Sequence, residues 1–140
     1  AASPVLLGYA RGDDTVPGIG ERPIADVRPF ERTTPAGRFA SRPGRNAADE
    51  DVLWVDHAAA VSMHRLRLTD PTERRAERLA SASAIDRRIS YGCINLPPAF
   101  FDSVFWPRFG RAPSVVYILP EVYPLERVFP AVTTRSRPVT

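Results

Sequence analysis

Fifteen prolines and eight glycines interrupt this chain of 140 residues. That punctuation constrains the fold more than any other feature. Proline breaks helix interiors and central strands, and glycine marks turns and close approaches. The chain is thereby cut into segments too short for long helices. The pattern predicts a mainly β architecture with one or two short helices.

Residues 4–10 predict a strand, with Val5, Leu6, Leu7 and Tyr9 apolar. Residues 11–33 have no period and carry Gly12, Pro17, Gly18, Gly20 and Pro23. They read as a long loop, either functional or a surface excursion. Thr33-Thr34-Pro35-Ala36-Gly37-Arg38-Phe39 reads as a turn entering a strand. Residues 52–57 and 60–66 predict a hairpin. Alternation around Met63 is too irregular to tell which way His64 faces.

Asp70-Pro71-Thr72-Glu73 has the form of a capping box and predicts a helix over about 71–81, with Ala76, Leu79 and Ala80 inward. A second helix is predicted over about 97–105, opened by Pro97-Pro98 and ended by Pro107. Its Phe100, Phe101, Val104 and Phe105 read as core. Residues 114–119 predict a buried strand. From 130 onward the chain is polar, proline-bearing and expected to be loose.

A chain of this length is expected to form one domain with a core that needs no disulfide or metal. It has one cysteine, so no internal disulfide is possible, and that thiol suits cytoplasm or periplasm alike. No apolar run approaches the ~18 residues of a membrane helix. All 19 basic residues are arginine and the net charge is only +3. The arginines alternate with acids, as in Glu73-Arg74-Arg75-Ala76-Glu77-Arg78, and form no block of the kind that binds nucleic acid. Ala1 is not a start methionine, so the sequence reads as a processed, truncated or recombinant piece.

The candidate chemistry centres on Ser90-Tyr91-Gly92-Cys93-Ile94-Asn95. Cys93 follows a glycine that lets another molecule approach the backbone, and precedes Pro97-Pro98. A thiolate there is a candidate nucleophile. The plainer reading is a small buried hydrophobe. A cysteine nucleophile needs a base, and the chain has two histidines. His57 beside Asp56 falls at a hairpin turn and reads as solvated. His64 lies within a strand, as a rigid general base or a hydrogen-bonded structural residue. Two histidines and one cysteine fall short of a four-ligand zinc set, so no metal is expected. The absence of G-x-S-x-G leaves a serine hydrolase weakly supported.

Together, Ser90-Tyr91-Gly92-Cys93-Ile94-Asn95, the upstream Met63-His64 and Thr34-Pro35-Ala36-Gly37-Arg38-Phe39 resemble the L,D-transpeptidase catalytic domain, also called the YkuD domain. The resemblance covers residues from about 33 to 119. Two features depart from the family pattern. Tyr91 stands where a second histidine is usual. Residues 65–89 form a longer spacer between His64 and Ser90, which the 71–81 helix explains as an insertion.

The resemblance implies a β-sandwich or open barrel that has lost its first strand or strands, located in the bacterial envelope or periplasm. It implies catalysis by Cys93, His64, Gly92 and Tyr91, with Ser90 and Asn95 ordering the turn. Cys93 would attack the stem peptide ahead of its terminal D-alanine, and His64 would act as base and acid. The partners would be peptidoglycan tetrapeptide stems and an amine acceptor, with no cofactor. Arg65, Arg87 and Arg88 flank the motif and are candidates to hold substrate carboxylates. Two alternatives stay open: a carboxypeptidase or cysteine peptidase on the same site, and a catalytically weakened wall-binding domain.

Overall fold

The computed structural model describes residues 1–10 and 26–130. Its organising element is one curled five-stranded sheet, a half-barrel with short helices around it. The strands are β1 (Gly37–Arg45), β2 (Asp51–Asp56), β3 (Val61–Arg65), β4 (Ile94–Leu96) and β5 (Ser114–Ile118). Their order is β4-β3-β2-β1-β5. The mainly β reading therefore holds.

Local chemistry sets both hairpins. Between β1 and β2, the Asn46 side chain accepts from the N–H groups of Ala48 at 2.9 Å and Glu50 at 3.0 Å, a polar turn of the kind asparagine favours. Between β2 and β3, Asp56 Oδ1 accepts from Ala59 N–H at 3.1 Å. This 52–66 hairpin matches the sequence reading. Its turn ends on Ala60 in the left-handed region at φ 56, a conformation that costs a non-glycine residue about 1 kcal/mol.

β3 and β4 pair in parallel, with Met63 opposite Ile94, His64 opposite Asn95 and Arg65 opposite Leu96. Parallel neighbours need a crossover of a dozen residues or more. The long 65–89 spacer lies within that crossover, so its two ends meet on adjacent strands.

The crossover is not the helix the sequence suggests. A 3-10 turn (Pro71–Glu73) is capped by Asp70, whose side chain accepts from Thr72 N–H. The chain then breaks at Arg74, φ 49, before α1 (Arg75–Ala80) begins. Ala76 and Ala80 are exposed and α1 buries no residue. Instead, Glu73 and Arg75 turn inward as an ion pair, with side chains 10% and 12% exposed. The charge pairing competes with the capping box for Glu73 and takes it.

The predicted second helix runs further than expected, through Pro98–Phe100, a wider π segment Phe101–Phe105, and Trp106–Phe109. Pro107 does not end it. The π segment restarts the hydrogen-bond ladder, so Pro107 falls in the first turn of a new segment, where its missing N–H is tolerated. A further short helix forms at Leu125–Val128.

The core lies between this helical stretch and one sheet face. Leu53, Val55, Val61, Ile94, Leu96, Phe101, Phe105 and Ile118 form it, with Met63 and Val116 packed against it. Phe101 is fully buried and stacks on Trp106 at 5.5 Å.

Two strand expectations change. Residues 6–9 are extended but form no regular strand; they pair one residue at a time, with Asn95, Arg88 and Thr33 in turn. Gly8 sits where any Cβ would meet the Arg32 carbonyl, so the segment threads a gap between neighbours. β5 is an edge strand, with Val115 and Tyr117 outward at 44% and 59% exposure. Its continuous apolar run resembled a strand buried on both faces, whereas only Val116 and Ile118 face the core. Residues 11–25 of the predicted loop, and 131–140 of the predicted tail, lie outside the described residues.

Candidate active site

The site grows from the polar face of the β3–β4 pair. Side chains alternate along a strand. Met63, Arg65, Ile94 and Leu96 lie on the side of the helical stretch, which leaves Ser62, His64 and Asn95 on the other. Cys93 precedes β4 and continues the register beside Ser62, with Sγ 3.8 Å from Ser62 Oγ. Cys93 and His64 thus share one face of adjacent strands.

The turn carrying Cys93 is held from several directions. Gly92 has φ 129, a region L-residues rarely enter. Its carbonyl accepts from Thr34 Oγ1 at 3.0 Å, and Thr34 Oγ1 accepts from Gly8 N–H at 2.8 Å. Thr34 is fully buried, so this hydroxyl fastens the N-terminal segment to the turn. The Cys93 carbonyl accepts from Ser90 Oγ at 2.5 Å and from Asn95 Nδ2 at 3.4 Å. Gly92 N–H donates back to Ser90 Oγ at 3.3 Å. The thiol is half-buried and donates toward the Ala60 carbonyl at 3.4 Å. That carbonyl belongs to the left-handed residue of the β2–β3 turn, so local strain there sits in contact with the thiol.

His64 is 3% exposed. Its Nδ1 lies 2.6 Å from the Arg65 carbonyl. A carbonyl only accepts, so Nδ1 carries the proton and Nε2 keeps the basic lone pair. Burial pushes the imidazole pKa down from 6.5 to about 4; the Arg65 carbonyl opposes that shift, Arg67 and Arg75 add to it, and Glu50 opposes it. The ring is neutral near pH 7.

This has a measurable consequence. Between about pH 4 and 6.5 the unfolded chain binds a proton at His64 that the folded chain refuses. Acidification therefore favours unfolding. The stability tied to His64 is complete above pH 6.5 and is lost as pH falls towards about 4, by up to about 3 kcal/mol. Denaturant unfolding across that range should show the slope, and His64→Gln should flatten it.

Two expected supports lie elsewhere. Arg65 points to the helical face, stacks 4.3 Å over the Phe101 ring and pairs with Asp102 at 2.6 Å. Its odd position in β3 turns it away from the thiol. Arg88 pairs with Glu121 and is 11% exposed. Glu121 also accepts from Ala10 N–H at 3.1 Å. Arg88 therefore ties the N-terminal segment to the 121 region, and its charge is already spent. Arg87 contributes its backbone carbonyl, which accepts from Leu7 N–H at 3.0 Å. Tyr91 is half-buried and opposes the fall in the Arg32 pKa that burial causes. His57 is exposed, its ring 4.7 Å from Trp54.

Sequence reasoning missed Ser62, Thr34 and the Glu73–Arg75 pair. Ser62 was findable, since it lies two residues before His64 on the same strand face. Thr34 lies in the Thr-Pro segment that carries part of the resemblance, but nothing in the segment shows that its hydroxyl fastens the Gly92 turn. Among the described residues, no three His, Cys, Asp or Glu side chains cluster to hold a metal ion, and no helix is long and apolar enough to cross a membrane. Comparison with family models, with curated proteins and with solved structures gives no match to this chain.

Proposed function

We propose that the chain is a cysteine acyltransferase of the L,D-transpeptidase type, acting on peptidoglycan stem peptides in the bacterial envelope. The observation that carries this reading is the held turn. The chain's only thiol sits beside a left-handed glycine, its carbonyl is fixed by Ser90 and Asn95, and a neutral histidine lies on the same strand face. The short Ser-Tyr-Gly-Cys-Ile-Asn motif and the Thr-Pro-x-Gly-x-Phe segment support it by resemblance.

In this reading the Cys93 thiol gives its proton to His64 Nε2 as Sγ attacks the carbonyl of the third stem residue. The C–N bond to the terminal D-alanine breaks, and the leaving amine takes the proton from His64. The resulting thioester is attacked by the side-chain amine of a second stem, which regenerates the thiol and leaves a new cross-link. Backbone N–H groups of the 91–93 turn stabilise the tetrahedral oxyanion, an effect of about 3 kcal/mol per donor removed. Gly92 N–H is the weakest of these candidates at rest, because it is turned to Ser90 Oγ. His64 is a low-basicity base, so thiolate and imidazolium form together only as the substrate arrives. Neither Arg65 nor Arg88 binds substrate in this scheme, since both are paired.

The deciding experiment is mass spectrometry of muropeptides after incubation with purified tetrapeptide substrate. Cross-linked product with loss of D-alanine supports transfer. Loss of D-alanine alone marks a carboxypeptidase, and no change sinks the reading.

Tyr91 acts through its backbone here. Tyr91→Phe should therefore keep most of the acylation rate. A drop of about tenfold, equal to about 1.4 kcal/mol, would show that the phenol takes part. Tyr91→His, which restores the residue usual in the family, is the companion variant.

A further inference from the structure

The crossover between β3 and β4 sends a guanidinium to the site. Arg75 opens α1, a helix with no buried residue, yet its side chain is only 12% exposed. Its Nη1 donates to Asn95 Oδ1 at 3.0 Å, and its Nε donates to Glu73 Oε2 at 2.5 Å. Arg78 Nε braces the pair by donating to the Glu73 carbonyl at 2.9 Å. In a continuous helix, residues two apart face different ways. The left-handed break at Arg74 is what sets Glu73 and Arg75 side by side.

Asn95 is fully buried. An arginine only donates, so the Asn95 atom facing it must be the oxygen. The amide nitrogen then has to point at the Cys93 carbonyl, which it meets at 3.4 Å. The guanidinium thus chooses which way the amide lies.

We propose that Arg75, clamped by Glu73, is a positioning residue that orients Asn95 and through it holds the turn of Cys93. The proposal rests on the reading of Cys93 as a nucleophile and gives the long spacer a part in that site. A lysine keeps the charge but has no planar fork to engage Glu73 and Asn95 together.

The test measures the rate of Cys93 acylation by a carbapenem, followed by intact mass. It compares the wild type with Arg75→Met, Arg75→Lys, Asn95→Ala and the Arg75→Met/Asn95→Ala double variant. Ser83→Ala serves as the exposed control from the same crossover. Arg75→Met and Asn95→Ala should each slow acylation about tenfold, and the double variant should be no slower than Asn95→Ala alone, because both remove one chain of contacts. Arg75→Lys should recover little. Full multiplication of the two effects would overturn the proposal.

A second measurement does not depend on acyl transfer or on Asn95→Ala folding. In NMR spectra of Arg75→Met, the Cys93 backbone and Asn95 side-chain amide signals should move further than in Ser83→Ala. The His64 titration midpoint should rise, since a nearby cation has left while Glu50 and Arg67, the other charged groups acting on that ring, remain. A wild type that takes no adduct, while Arg75→Met shows these shifts, refutes the acyl-transfer reading and keeps the role of Arg75. Unchanged spectra refute the role of Arg75 whatever the adduct does.

Discussion

Replacing Cys93 with alanine is expected to abolish covalent capture by a carbapenem and all muropeptide cross-linking. The resemblance to the L,D-transpeptidases implies that the wild type takes one adduct per chain. The strained ring offers a carbonyl to the same nucleophile and the same backbone donors that the stem peptide would use. Under the proposed function the chemistry requires the sulfur, because the neighbouring Ser62 hydroxyl is 4% exposed and far less nucleophilic than a thiolate. Sγ is half-buried, and its contacts are the Ala60 carbonyl and Ser62 Oγ, both weak at 3.4 and 3.8 Å. Entry of an acyl group therefore breaks little. The fold should survive the change, since alanine removes only an atom with loose partners. Intact-mass measurement on folded protein reads the result directly. An adduct that persists in Cys93→Ala would place the reactive group elsewhere. A wild type without an adduct, towards carbapenems and towards small thiol-reactive electrophiles, would make Cys93 inert and favour the wall-binding alternative.

The parts of the fold legible in the sequence are those fixed by local chemistry. Asp56 falls at a hairpin turn, Gly37 lies in a turn that enters β1, and the Phe101 and Phe105 pair faces the core, because turn residues and aromatic spacing act over a few positions. The site turn was legible for the same reason. Ser90, Gly92 and Asn95 lie within three residues of Cys93 and act through short hydrogen bonds.

What escaped was set by distant partners. The exposure of Val115 and Tyr117 depends on β5 lying at the end of the strand order, which no window of sequence records. Leu6 and Leu7 read as strand but divide their pairing between Asn95 and Arg88. Arg65 and Arg88 looked available because arginine usually reaches solvent, yet Asp102 and Glu121 claim them from 37 and 33 residues away. Arg75 was hidden by the opposite error. It sits in a stretch where arginines alternate with acids and Ala76, Leu79 and Ala80 read as the inward residues, and only the break at Arg74 turns it inward.

His64→Gln should slow Cys93 acylation by about 100-fold or more, the usual range for loss of a general base. Glutamine keeps a donor for the Arg65 carbonyl and nearly fills the cavity, so fold and neighbouring contacts should persist. What it lacks is the Nε2 lone pair left basic by the Nδ1 bond at 2.6 Å. The pH dependence separates a base from a structural histidine. Burial holds the resting imidazole at about 4 rather than 6.5, so His64 stays unprotonated through the mildly acidic range. The acid limb of the wild-type acylation rate should therefore centre near 4, and should vanish in His64→Gln over the range where the fold persists. An acid limb centred near 6.5 would mean that the reacting form exposes His64 to water, and its burial would then belong to the resting state alone. A His64→Gln variant that acylates at the wild-type rate would remove the base from the mechanism and leave His64 as a buried, hydrogen-bonded strand residue.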